Sequence, residues 1–105
     1  MTRLVRAFVP DLMDRSRLRA SEVSVEFVAD LASLLDAEAD LFIIDLDRPD
    51  ALLAVSERSP GSGRVVGFAP HVDEETMAAA REAGCDEVLP RSAFFRRFPD
   101  LAPDA

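Results

Sequence analysis

Two carboxylates, Asp45 and Asp47, stand one residue apart at the end of an unbroken apolar run in the stretch LFIIDLDRPD, residues 41 to 50. A run such as Leu41, Phe42, Ile43, Ile44, with its β-branched residues, is the pattern of a strand buried on both faces of a parallel sheet. Acids just beyond it therefore sit at the carboxyl edge of that sheet, where ligands and chemistry gather in open α/β folds. Other reactive groups are few. All twelve basic residues are Arg, which excludes a Schiff-base or P-loop lysine. Cys85 is alone, so it forms no internal disulfide or thiolate cluster and reads as a small buried hydrophobe. His71 has no second His or Cys near it and reads as a solvent-facing loop residue. No nucleophile-base pair or cofactor motif is visible, which argues against an enzyme.

The elements that must hold these acids follow from alternating strand-like and helical patterns. Residues 4–9, 23–28, 41–46, 64–68 and 86–90 are the strand candidates, the second alternating as an edge strand does. Helices are predicted over 11–19, through Leu12, Arg15 and Arg19, over 30–36, and over 51–58 after Pro49. The SPGSG segment precedes a strand, so it is a turn and not a phosphate cradle. The clearest helix begins at Asp73, with acids in its first turn, alanines in its middle and Gly84 as its C-terminal cap. A last helix is predicted from Ser92 through Phe98, short because Pro99 should end it. Asp14, Arg15 and Arg17 read as a solvated charged face on the first helix. Five βα units with right-handed crossovers imply a flavodoxin-like (βα)5 α/β fold with strand order 2-1-3-4-5. No GxGxxG follows the first strand, which disfavours a dinucleotide-binding fold.

Size and composition bound the rest. The chain's 105 residues make one domain, expected over 1–101 with a frayed tail at 102–105. Hydrophobic residues are 49% of the chain, which argues against disorder despite the net charge of -8. That acidity disfavours nucleic acid and anionic membrane as partners. The N-terminal apolar stretch is too short for a signal peptide, and no run approaches a membrane span, so a reducing cytoplasm is expected.

The chain resembles response-regulator receiver domains, the bacterial two-component signalling modules, most clearly in DLFIIDLDRP and VVGFAPHVDEETMAAAREAGCDEVLPRS. The resemblance places Asp45 at the phosphoacceptor, with Pro49 four residues later. It places Asp47 where a backbone carbonyl binds metal, and Asp11 on one of two metal-site acids after the first strand. Three positions depart from the pattern. Pro10 replaces the second acid, which weakens an Mg²⁺ site built on carboxylates. Ala69 stands at the switch Ser/Thr and has no hydroxyl to bond a phosphoryl oxygen. Arg91 aligns with the conserved Lys and offers a planar fork in place of a compact ammonium.

These departures imply a degenerate receiver, a stand-alone module acting by protein-protein contact without the ordinary aspartyl-phosphorylation switch. Arg91 would stand opposite Asp11, Asp45 and Asp47 in an ion-pair network, with at most weak Mg²⁺ at Asp11 and Asp45 and otherwise no cofactor. The alternative is a working phosphoacceptor at Asp45 with Mg²⁺, passing phosphate in a relay. The resemblance makes the last helix part of the usual partner face, so Phe94, Phe95, Phe98, Arg96 and Arg97 are the candidate contact residues. Adjacent Phe94 and Phe95 do not fit one narrow buried stripe, so one is expected to stay partly exposed, the alternative being that all three Phe residues cap the core. The partner would be another protein or a second copy of the chain.

Overall fold

The run Leu41–Asp45 forms the central strand β3, and every one of its side chains is buried, as a strand covered on both faces requires. The computed structural model describes residues 4–19, 25–30, 39–47, 50–57, 63–69 and 73–101. The helix predicted over 30–36, past its first residue, lies outside the described residues, as do Pro49, most of SPGSG, His71 and the tail. Around β3 run β1 (Val5–Phe8), β2 (Val25–Phe27), β4 (Arg64–Ala69) and β5 (Glu87–Pro90). The sheet is parallel throughout and ordered β2-β1-β3-β4-β5, with β2 at one edge, as the alternation in its sequence predicts. The described helices are α1 (Leu12–Arg19), α2 (Ala51–Glu57), α3 (Glu74–Ala83) and α4 (Arg91–Leu101).

Strand alternation divides the core into two layers. Phe42 and Ile44 of β3, with Val65 of β4 and Val88 of β5, pack under Ala51 and Val55 of α2 and Met77 and Ala80 of α3. Leu41 and Ile43, with Val66 and Phe68 of β4 and Val5 and Ala7 of β1, pack under Leu18 of α1 and Phe94 and Phe98 of α4. Each fully buried aliphatic or aromatic side chain contributes on the order of 1.5–3 kcal/mol, so β3 is the strand the fold can least lose. Cys85 is buried, as expected of a small apolar residue.

Two aspartates pin the amino-terminal edge of the sheet. Asp40 Oδ2 accepts the Leu4 N–H at 2.8 Å, and Asp86 Oδ2 accepts the Val65 N–H at 2.7 Å. Each carboxylate thus satisfies a backbone donor at the start of a strand, where the ladder alone leaves one unpaired. Gly63 leads into β4 with φ at 101°, and a Cβ there would meet the Ala39 carbonyl oxygen at 2.2 Å. Glycine is therefore required at that position. Helix α3 is capped as its sequence predicts. Asp73 Oδ1 accepts from the Thr76 N–H at 3.1 Å, and Gly84, with φ at 125°, donates its N–H to the Ala80 and Arg81 carbonyls.

Two helices depart from the sequence expectation. Among the described side chains of α1, Asp14 and Leu18 are buried, whereas Leu12 and Met13 are 70% and 77% exposed. Asp14 and Leu18 are four residues apart and share the face that meets the sheet. Helix α4 begins at Arg91, one residue earlier than Ser92, and continues past Pro99 to Leu101. A proline this close to a helix end removes a donor for one carbonyl in a turn whose last carbonyls have no intrahelical partner anyway. At eleven residues α4 is not a short helix.

Candidate functional site

The carboxyl ends of β1, β3, β4 and β5 form one edge of the sheet, and the predicted residues fall along it. After β1, Asp11 is the N-cap of α1. Its Oδ1 accepts the N–H groups of Met13 at 2.8 Å and Asp14 at 3.1 Å, and its carbonyl accepts the Arg15 N–H. Arg15 returns to the strand end by donating Nε to the Val9 carbonyl at 2.6 Å, and its guanidinium lies over the Phe27 ring. At the end of β3, Asp45 is only 6% exposed, and its Oδ1 accepts the Asp47 N–H at 3.0 Å, closing an Asx turn. Asp47 itself is exposed. Ala69 is fully buried at the end of β4, paired in register with Pro90, and presents a methyl group to the core.

Arg91 is the first residue of α4, and its partner is Asp14, a residue predicted to lie on a solvated face. Nη1 donates to Asp14 Oδ2 at 2.9 Å and Nη2 donates to Asp14 Oδ1, a two-pronged fork between α1 and α4. Asp14 is 2% exposed. Its carboxyl is held above the ordinary 3.8 chiefly by burial; Arg91 opposes this, Asp11 adds to it, and Arg17 opposes it more weakly. The fork thus joins Arg91 to Asp14, a partner the sequence reading did not assign to it. Both oxygens of a carboxylate match the spacing of a guanidinium, which a Lys at position 91 could not reproduce.

The aromatic residues of α4 complete this junction. Phe94 and Phe98 are buried, with the Phe94 ring stacked on Phe68 at 4.7 Å. They are core residues, a correction to their place on the expected contact face. Phe95 is half-buried, and its ring carries the Arg17 guanidinium at 4.2 Å and that of Arg91 at 5.4 Å. Arg97 pairs with Glu87 at 2.8 Å, which also takes Arg64, and Arg96 is exposed. What remains of the predicted face is Phe95, Arg96 and Arg97.

Among the described residues no group of three or more His, Cys, Asp and Glu is placed to hold an ion. Asp11 and Asp45, the two expected ligands, each direct one oxygen to a backbone turn. Mg²⁺ demands a near-octahedral oxygen shell, and Pro10 adds no donor side chain to these two acids.

Asp14 is the residue that sequence reasoning missed. The signal for it was Leu18 four residues on, which shares the inward face of α1, against the more conspicuous Leu12, Arg15 and Arg19 spacing. Its partner lies 77 residues away, so no local pattern announces the pair.

No protein-family model matches the chain, and no curated protein does. Solved structures do. A response regulator from Hahella chejuensis superposes with a TM-score of 0.80 at 21% identity, over 95% of this chain and 92% of that one. The phosphorylated cyanobacterial phytochrome response regulator RcpA gives 0.77 at 14% identity, over 97% and 89%. A response regulator from Thermotoga maritima gives 0.71 at 15% identity, over 97% and 98%. At these identities the likeness establishes the fold, a five-stranded parallel sheet of the flavodoxin-like receiver type.

Proposed function

We propose that this receiver-fold domain is a two-component signalling module that acts by contact with another protein and runs no ordinary aspartyl-phosphorylation switch. The observation that carries the reading is the commitment of Arg91 to Asp14. Phosphoryl transfer to an aspartate depends on positioning and on neutralising charge at the acceptor. Here the cation of the β5–α4 junction is forked onto another carboxylate, and Ala69 offers no hydroxyl to report a phosphoryl group. No catalytic reaction is assigned to the chain. Signalling then rests on surface contact, for which Phe95, Arg96 and Arg97 of α4 and the exposed Leu12 and Met13 of α1 are the available residues. Net acidity disfavours nucleic acid and anionic membrane, and no described helix is long and apolar enough to cross a membrane.

The test is incubation with acetyl phosphate and Mg²⁺ followed by intact-mass measurement. The expected result is no phosphoryl adduct. An adduct on the wild type that disappears in Asp45→Ala would overturn the reading and make the chain a working phosphoacceptor.

A further inference from the structure

We propose that the Asp14–Arg91 fork is an internal latch that fixes α4 against α1, supplying from within the chain the anion that phosphorylation would otherwise bring to the sheet edge. This rests on the phosphorylation-independent reading above and names the device that makes it work. Three observations converge. The fork joins the first turn of α1 to the first residue of α4, so it sets where the last helix leaves the sheet. Its carboxylate is buried, whereas a surface pair between two helices would be screened and weakly positioned. The guanidinium is also braced, since Arg91 and Arg17 both lie against Phe95 of α4. Moving α4 away from α1 therefore breaks two charge-assisted hydrogen bonds and the Arg17–Phe95 contact together, while the Arg91–Phe95 contact stays within α4.

Such a pair contributes more to position than to stability. Burying the Asp14 carboxylate is unfavourable and offsets much of its attraction to Arg91. Asp14→Asn keeps the shape but leaves the Arg91 charge without its carboxylate. Because Arg91 is 32% exposed and can reach water, the cost is reduced and should fall chiefly on the helix that Arg91 begins. The charged groups that bear on Asp14 are Arg91 from α4, Arg17 from α1 and Asp11 from the β1–α1 turn.

Hydrogen exchange read by mass spectrometry on the whole chain tests this. In Asp14→Asn, amides of 91–101 should exchange about tenfold faster or more, with those of β3 and β4 changed less than about twofold. The double variant Asp14→Arg with Arg91→Asp, which rebuilds the pair in reverse, should restore protection of 91–101. Unchanged exchange in 91–101, a uniform rise across the sheet, or failure of the reversed pair to restore protection overturns the latch. If Asp14→Asn does not fold, Arg91→Lys is read in its place, because it keeps the charge and loses the fork. A rise confined to 91–101 then supports the latch, and no rise overturns it. The underlying reading fails separately: a phosphoryl adduct on wild-type Asp45 sinks it whatever the exchange data give, whereas unmoved exchange sinks the latch alone.

Discussion

At Asp14 two opposed terms act on one carboxylate, and their balance has a measurable sign. Burial raises its pKa above 3.8 and Asp11 adds to the rise, while Arg91 and Arg17 pull it back without cancelling it. Between 3.8 and the raised value the folded chain binds a proton that the unfolded chain has released. This group's contribution to stability is therefore fully present below the unfolded value and is lost as pH rises through the folded one. Asp14→Asn removes the titration. Urea unfolding across a pH series should show the wild type losing stability relative to Asp14→Asn as pH climbs from about 3.8. A wild type that gains on the variant with rising pH would mean that the fork outweighs burial. Asp14→Ala is a harsher change, since it also leaves a gap. Loss of one partner from a buried pair costs about 3–5 kcal/mol, and roughly 2–3 kcal/mol is expected here because Arg91 is 32% exposed and can reach water. The positions of Asp11, Asp45 and Asp47 along the sheet edge were legible because each follows a strand pattern. The pairing of Arg91 was not, because a contact across 77 residues leaves no periodicity behind.

Among the elements, α4 and the Gly63 turn are where local sequence and tertiary packing make the sharpest demands. Phe94 stacks on Phe68 at 4.7 Å and meets the tilted ring of Phe98 at 5.8 Å, so it ties α4 to the second core layer. Phe94→Ala should destabilise the fold by about 3–5 kcal/mol in urea melts, as aromatic truncations in cores do. Phe95→Ala should cost clearly less, about 1–2 kcal/mol, because its ring is half-buried and loses mainly its arginine contacts. Gly63→Ala should cost more than the roughly 1 kcal/mol of an ordinary Gly-to-Ala conflict, since the new Cβ would meet the Ala39 carbonyl as well as a left-handed backbone. Strands β1, β3, β4 and β5 were legible almost residue for residue, because apolar runs bounded by charge, Gly or Pro have few other solutions. So was α3, whose caps are local chemistry. Helix α4 was misjudged at both ends. Its start follows from the end of β5, and it runs past Pro99 because a proline in the last turn removes only one donor where the final carbonyls lack intrahelical partners anyway.

Across the whole molecule the charges are unevenly placed. Among the described residues, exposed acids on α3 and the edge turns include Glu74, Glu75, Glu82, Asp86 and Asp47, with Arg81 among them, while Arg15, Arg17, Arg91, Arg96 and Arg97 lie on α1 and α4 beside the Asp11 cap. The excess of eight negative charges makes the folded chain repel itself over distances that salt can screen. The exposed pairs Arg6 with Glu26 and Glu87 with Arg64 and Arg97 pull the other way, but each contributes only about 0–1 kcal/mol. The Asp14 end of the Asp14–Arg91 fork is buried and the two groups are in direct contact, so the fork feels added salt less than these surface pairs. Raising NaCl from about 0.01 M to about 0.1 M shortens the screening length from roughly 30 Å to roughly 10 Å, less than the width of the molecule. Distant like charges are then muted while contacts within a few ångströms persist. The thermal midpoint should therefore rise over that range, and Asp14→Asn should show a rise of similar size because the fork contributes little to it. Chloride is the salt to use, since sulfate strengthens apolar burial by a separate route. A midpoint that falls with NaCl would place the balance in the surface pairs instead, and would make the arginine face of α1 and α4 a stabilising element and not only a candidate contact surface.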